Sequence, residues 1–103
     1  MLIVLTTFPD LECGRTIADR LLAERLAACV SLLGVCESHY IWNGERQTAS
    51  EVPALIKTTE EGYERLEARL RALHPYEVPE IIAFPAERCL EAYGQWVRRA
   101  CDG

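Results

Sequence analysis

The 103-residue sequence predicts an α+β fold: a ferredoxin-like βαββαβ sandwich with an extended β-hairpin and a C-terminal helix. Three observations carry the prediction. Apolar residues recur at helical spacing in two stretches, each set between β-type apolar runs. Asn43-Gly44 joins two long strand-like arms, and both central positions of a two-residue hairpin turn require φ > 0. Two βαβ units with right-handed crossovers, joined by that hairpin, then place helices against an antiparallel sheet.

Taken in order, Leu2 to Phe8 is β-branched and apolar, bounded by Pro9-Asp10, and reads as a buried strand. Asp10 is placed to cap the next helix, since its carboxylate can accept from unpaired N–H groups. Ile17 and Leu21, with Ala18, Leu22 and Leu26 on the neighbouring row, form its apolar face. Arg15, Asp19, Arg20, Glu24 and Arg25 form its wet one. Ala27 to Trp42 has strand composition, with a bend or bulge expected at Gly34. The return arm runs from Glu45 to Thr58, and Thr58 with Glu61 has the spacing of a capping box. Tyr63, Leu66, Leu70 and Leu73 mark the second helix, which must stop at His74 because Pro75 disfavours helical geometry there. Glu80 to Pro85 is the fourth strand. A last helix, roughly Glu87 to Cys101, presents Leu90, Tyr93, Trp96, Val97 and Ala100 on one side. Residues 1–103 read as one domain, without linker, repeat or low-complexity segment.

Charge and cysteine content narrow the function classes. A net charge of −5 with scattered Lys and Arg argues against nucleic acid as a partner. The N-terminal apolar run is too short for a signal peptide or a membrane span, so a cytoplasmic protein with no membrane partner is expected. Five cysteines, none in a C-x-x-C pair, fit neither a disulfide framework nor a paired-thiolate zinc site. There is no dinucleotide fingerprint, phosphate-binding loop or nucleophile elbow. The segment after the first strand lacks a Gly-rich anion cradle of the acylphosphatase kind. Neither a catalytic reaction nor an organic cofactor is expected.

The hairpin is long for so small a domain. Fourteen residues per arm at ~3.3 Å each extend ~45 Å, against a radius of gyration of ~13 Å for a compact chain of this size. The arms must bend at Gly34 or protrude. Protruding arms that carry Tyr40, Ile41 and Trp42 invite pairing with another copy, so geometry predicts a homo-oligomer. Pro53 removes one ladder donor, and its nitrogen should face an edge or a bulge.

The stretch His74-Pro75-Tyr76-Glu77-Val78-Pro79-Glu80 has two open roles. His74 could give a ring nitrogen to a metal, with Glu77 or Glu80 as carboxylate partner. Alternatively it ends the second helix, with Pro75 and Pro79 holding an extended connector. His39 reads as a solvated strand residue. Tyr40, Trp42, Tyr76 and Trp96 could line a pocket with Lys57 and Glu51 or Glu77, or could be core and interface aromatics.

The strings AACV after the first helix, SHYIWNGE at the hairpin, EVPALIKT on the return arm, HPYEVPEI and YGQW occur in order over essentially the whole chain. Together they resemble the CutA family of divalent-cation-tolerance proteins. The resemblance implies a PII-like homotrimer built through long hairpin strands, a role in response to copper or another divalent cation, and His74 as a metal ligand. In some copper-binding members a cysteine stands where this chain has Thr6, and a second histidine where it has Leu73. Thr and Leu are poor copper ligands. An inter-subunit cleft is implied around Cys29, Tyr40, Trp42, Glu51, Lys57, Tyr76 and Glu77. The alternative implied by the PII-like architecture is a signalling trimer that binds a small anionic metabolite or nucleotide there, with Lys57 supplying charge.

Overall fold

The computed structural model describes residues 1–101. Strand β1 (Leu2–Phe8) leads into helix α1 (Leu11–Ala23), and Asp10 caps that helix by accepting from the Cys13 N–H at 2.7 Å. Helix α1 ends in a Schellman turn, with Leu26 N–H to Leu21 O at 2.9 Å and Arg25 N–H to Leu22 O at 3.0 Å. Arg25 takes the left-handed position of that turn, φ 58°, where glycine is the usual occupant. Strands β2 (Cys29–Leu32), β3 (Cys36–Trp42) and β4 (Glu45–Thr58) follow. Helix α2 (Tyr63–Leu73), strand β5 (Ile82–Pro85) and helix α3 (Glu91–Cys101) complete the chain.

The strand order is β2-β4-β1-β5, antiparallel at every pairing, with β3 on the outer half of β4. Because β4 lies between β1 and β2, and β1 between β4 and β5, each crossover helix spans a split pair, as the βαββαβ reading requires. Register decides the faces. Val4, Thr6, Ala54 and Ile56 point to the helix side and are fully buried with Leu21, Leu66 and Leu70. Ile3 and Leu5 point the other way, beside Phe84 and Ile82 of β5, which are 42% and 50% exposed. Among the described residues, no helix covers that second apolar face.

The hairpin behaves as its length demands. Asn43 (φ 52°) and Gly44 (φ 79°) close the two-residue turn. The chain spans 44 Å along its longest axis, and its radius of gyration is 14.1 Å. The bend expected at Gly34 is the break between β2 and β3. Pro53 sits against that break: its carbonyl accepts from Leu33 N–H at 2.8 Å, so its nitrogen faces the same interruption and no ladder bond is lost.

Three local expectations need correction. Thr58 is no helix cap: its hydroxyl is buried and donates to Leu26 O at 2.8 Å. Thr59 instead closes the turn before α2, accepting from Gly62 N–H at 3.0 Å; Gly62 is the N-cap, no side chain caps the helix, and α2 begins at Tyr63. The last helix starts at Glu91 rather than near Glu87, because Ala86 N–H still bonds Met1 O at 3.0 Å and holds the chain beside the sheet. Leu22 (42%) and Leu90 (75%) lie outside the core: Leu22 falls past the edge of the stripe that α1 presents, and Leu90 precedes the first turn of α3.

Candidate functional site

The connector between α2 and β5 runs past the middle of β4 and encloses a cleft of about 770 Å³ with β3. Pro75 forces His74 out of helical geometry, to φ −72° and ψ 135°. The imidazole therefore turns inward, 6% exposed, and stacks on Phe8 with ring centroids 5.3 Å apart. Nδ1 accepts from Tyr76 N–H at 3.2 Å, and Nε2 lies 2.8 Å from Thr7 O. A carbonyl only accepts, so Nε2 carries the proton and the ring is neutral. Burial pushes its pKa below the ordinary value of 6.5; the Thr7 carbonyl and the nearby Glu51 oppose that shift without cancelling it.

His74 thus clamps the connector at both ring nitrogens and aims Tyr76 at β4. The Tyr76 hydroxyl donates to Glu51 Oε2 at 2.8 Å, and Thr7 Oγ1 donates to the same oxygen at 3.3 Å. Burial, then the hydrogen bond to Glu51, push the Tyr76 phenol well above its ordinary value, so it stays a donor at any physiological pH. Glu51 is 9% exposed and is the one buried carboxylate among the described residues. Both of its side-chain partners are neutral hydroxyls. It forms no ion pair among the described residues.

The rest of the lining extends this character. Glu77 and Glu80 come from the connector, and His39, Tyr40 and Trp42 from β3. His39 Nε2 lies 2.7 Å from Glu37 Oε2 on the exposed face of the strand. No lysine or arginine lines the cleft among the described residues. Carboxylate oxygens, one imidazole and aromatic faces make a surface suited to a cation. Among the described residues, no three His, Cys, Asp or Glu side chains stand close enough to hold a metal ion. Within one chain, a bound cation would keep water or take a ligand from a second copy.

Of the expected cleft residues, the structure brings together Tyr40, Trp42, Glu51, Tyr76 and Glu77. It does not bring Cys29 and Lys57 to them. Those two face each other across β2 and β4, and Lys57 Nζ donates to Ser31 Oγ at 2.8 Å. Six residue steps along β4, roughly 20 Å, separate Lys57 from Glu51. Thr6 is fully buried opposite Ala54, and Leu73 packs against the core, so neither lines the cleft. Thr7 was not anticipated. Its role depends on the β1–β4 register, which no local sequence signal reveals.

Fold and cleft define a class: a small ferredoxin-like protein with an acidic, aromatic cleft between a long hairpin and a proline-held connector. The family model described as CutA1 divalent ion tolerance protein matches residues 2–100. The chain is 45% identical over 96 residues to the divalent-cation tolerance protein CutA of Thermus thermophilus, covering 93% of each. It is 41% identical over 97 residues to that of Pyrococcus horikoshii, covering 94% of each. The crystal structure of CutA from Xylella fastidiosa superposes with a TM-score of 0.95 at 39% identity, covering 98% of this chain and 97% of that one. The chain belongs to the CutA1 divalent ion tolerance family. Relatives carry differing compartment names: the Arabidopsis thaliana protein is called chloroplastic and the Archaeoglobus fulgidus structure periplasmic. No helix among the described residues is long and apolar enough to cross a membrane.

Proposed function

We propose that the protein serves divalent-cation tolerance by binding a divalent cation, copper or a similar ion, in the cleft around Glu51. One observation carries this reading: a buried carboxylate held by two neutral hydroxyls with no positive partner. Burying an unpaired charge is costly, and a cation entering the cleft offsets that cost. Glu77, Glu80 and His39 add oxygen and nitrogen donors at the rim. His74 supports the site as a neutral clamp that positions Tyr76, because each of its nitrogens is already engaged within the chain. An anionic metabolite would meet three carboxylates there and no lysine or arginine, so the cation reading is preferred.

We also propose that the chain works as a homotrimer, with the uncovered sheet face and the exposed Ile41 and Trp42 of the hairpin buried between copies. A neighbouring copy would then supply the ligands that one chain lacks. Calorimetric titration of Cu(II), Zn(II) and Mn(II) into wild type, Glu51→Gln and His74→Ala tests the site. Saturable binding of one of these ions, weakened at least about tenfold in Glu51→Gln, is expected from the loss of one charged ligand. Equal affinities in wild type and Glu51→Gln would overturn the reading.

A further inference from the structure

Beyond the far end of β4 lies a second cavity, of about 410 Å³, whose lining has the opposite charge. Arg65 enters it from the first turn of α2, and Arg98 and Arg99 from the last turn of α3. These are three of the eleven basic residues of a chain whose net charge is −5. None of the three guanidinium groups forms an ion pair or a side-chain hydrogen bond among the described residues. Glu61, which is exposed, is the one acidic residue in the lining among the described residues.

Among the described residues, little negative charge stands near these arginines. The carbonyl end of α3 would carry partial negative charge, but Arg25 covers it, donating from Nη2 to Arg99 O at 2.7 Å and from Nε to Ala100 O at 3.2 Å. Cys101, 7% exposed, forms the floor. Burial pushes its thiol above the ordinary range, so it stays neutral. Gly62, which is buried, also lines the cavity: a Cβ there would stand 3.1 Å from Thr59 Oγ1 and 4.0 Å from Arg65 Nη2.

Arginines that line one cavity from two helices, with no carboxylate partner among the described residues, suit a multiply charged oxyanion, because each guanidinium can donate two parallel hydrogen bonds to phosphate oxygens. We infer that Arg65, Arg98 and Arg99 form a binding site for a phosphate-bearing small molecule, separate from the cation cleft and of opposite charge.

The test is calorimetric titration of inorganic pyrophosphate into metal-stripped full-length protein at low ionic strength. Metal stripping prevents pyrophosphate from bridging to a cation in the cleft, so the result is independent of the Glu51 reading. The variants are Arg65→Gln/Arg98→Gln and, as a control of equal charge, Arg15→Gln/Arg71→Gln; all four positions are exposed. Saturable binding of one pyrophosphate per chain is expected. The first pair should weaken it at least about tenfold through lost charge-assisted contacts, and the control pair less than about threefold. Absence of saturable binding to wild type, or equal weakening by both pairs, would overturn the inference.

Discussion

The Tyr76 hydroxyl donates to Glu51 Oε2 at 2.8 Å, and this contact ties the proline connector to the long strand β4. Everything proposed for the cleft depends on it. The donor is set by His74, which is itself set by Pro75, and the acceptor by the β1–β4 register that brings Thr7 alongside. The arrangement holds a carboxylate largely out of water, with two hydroxyl donors and no positive partner among the described residues.

On the proposed reading, this arrangement serves cation binding at the expense of stability. Glu51→Gln keeps an acceptor for Tyr76 and Thr7 but removes the buried charge. In metal-free protein this variant should be more stable than wild type by about 1 kcal/mol, measured by urea unfolding. A clear loss of stability would mean that the charge is already compensated.

The pH dependence follows from His74. Its folded pKa is lowered by burial, so below about 6.5 the unfolded chain binds more protons than the folded one. Stability is then full above pH 6.5 and falls as pH drops from there toward the folded pKa. Unfolding free energies at a series of pH values should show this slope in wild type and a shallower one in His74→Gln. Identical slopes would remove His74 as its source.

Thr6 offers an opposite kind of test. Its hydroxyl is fully buried and has no hydrogen-bond partner among the described residues. Thr6→Val keeps the shape and removes the unsatisfied group, so stability should rise by about 1 kcal/mol. A loss of that size would indicate a partner for the hydroxyl.

Arg25 combines strain with two hydrogen bonds, and the two effects can be separated. Both Arg25→Ala and Arg25→Gly lose the contacts to Arg99 O and Ala100 O, but only glycine adopts φ 58° without penalty. Arg25→Gly should therefore be more stable than Arg25→Ala by about 1 kcal/mol in thermal or urea unfolding.

The trimer proposal makes a mass prediction. Equilibrium sedimentation should return three times the 11.6 kDa chain mass. Placing a charge on the uncovered sheet face, as in Phe84→Glu, should shift the mass toward that of one chain. A wild-type monomer would contradict the proposal.

Much of this architecture is legible in the residues themselves. Asn43-Gly44, the Leu66–Leu70 ladder, Asp10 as a cap and the Pro75 stop are local signals, and each is realised as expected. The break at Gly34 follows from an arm too long for the domain. What escapes the sequence is register. Which side of β4 faces the helices, and hence that Glu51 meets Thr7 while Lys57 meets Ser31, is set by pairings between segments dozens of residues apart. Thr58 shows the same limit at short range: a residue with capping spacing is drawn instead to a carbonyl brought to it by α1. Grouping Cys29 and Lys57 with the cleft rests on family resemblance, and one chain alone does not assemble them there.

The most direct measurement is an anomalous difference map at the copper absorption edge, from crystals grown with Cu(II). A peak is expected within coordination distance of a Glu51 carboxylate oxygen, with the Tyr76 hydroxyl displaced or bound beside it and both His74 nitrogens still engaged at Thr7 and Tyr76. A well-occupied peak elsewhere, with the Tyr76–Glu51 contact intact and the cleft empty, would contradict it.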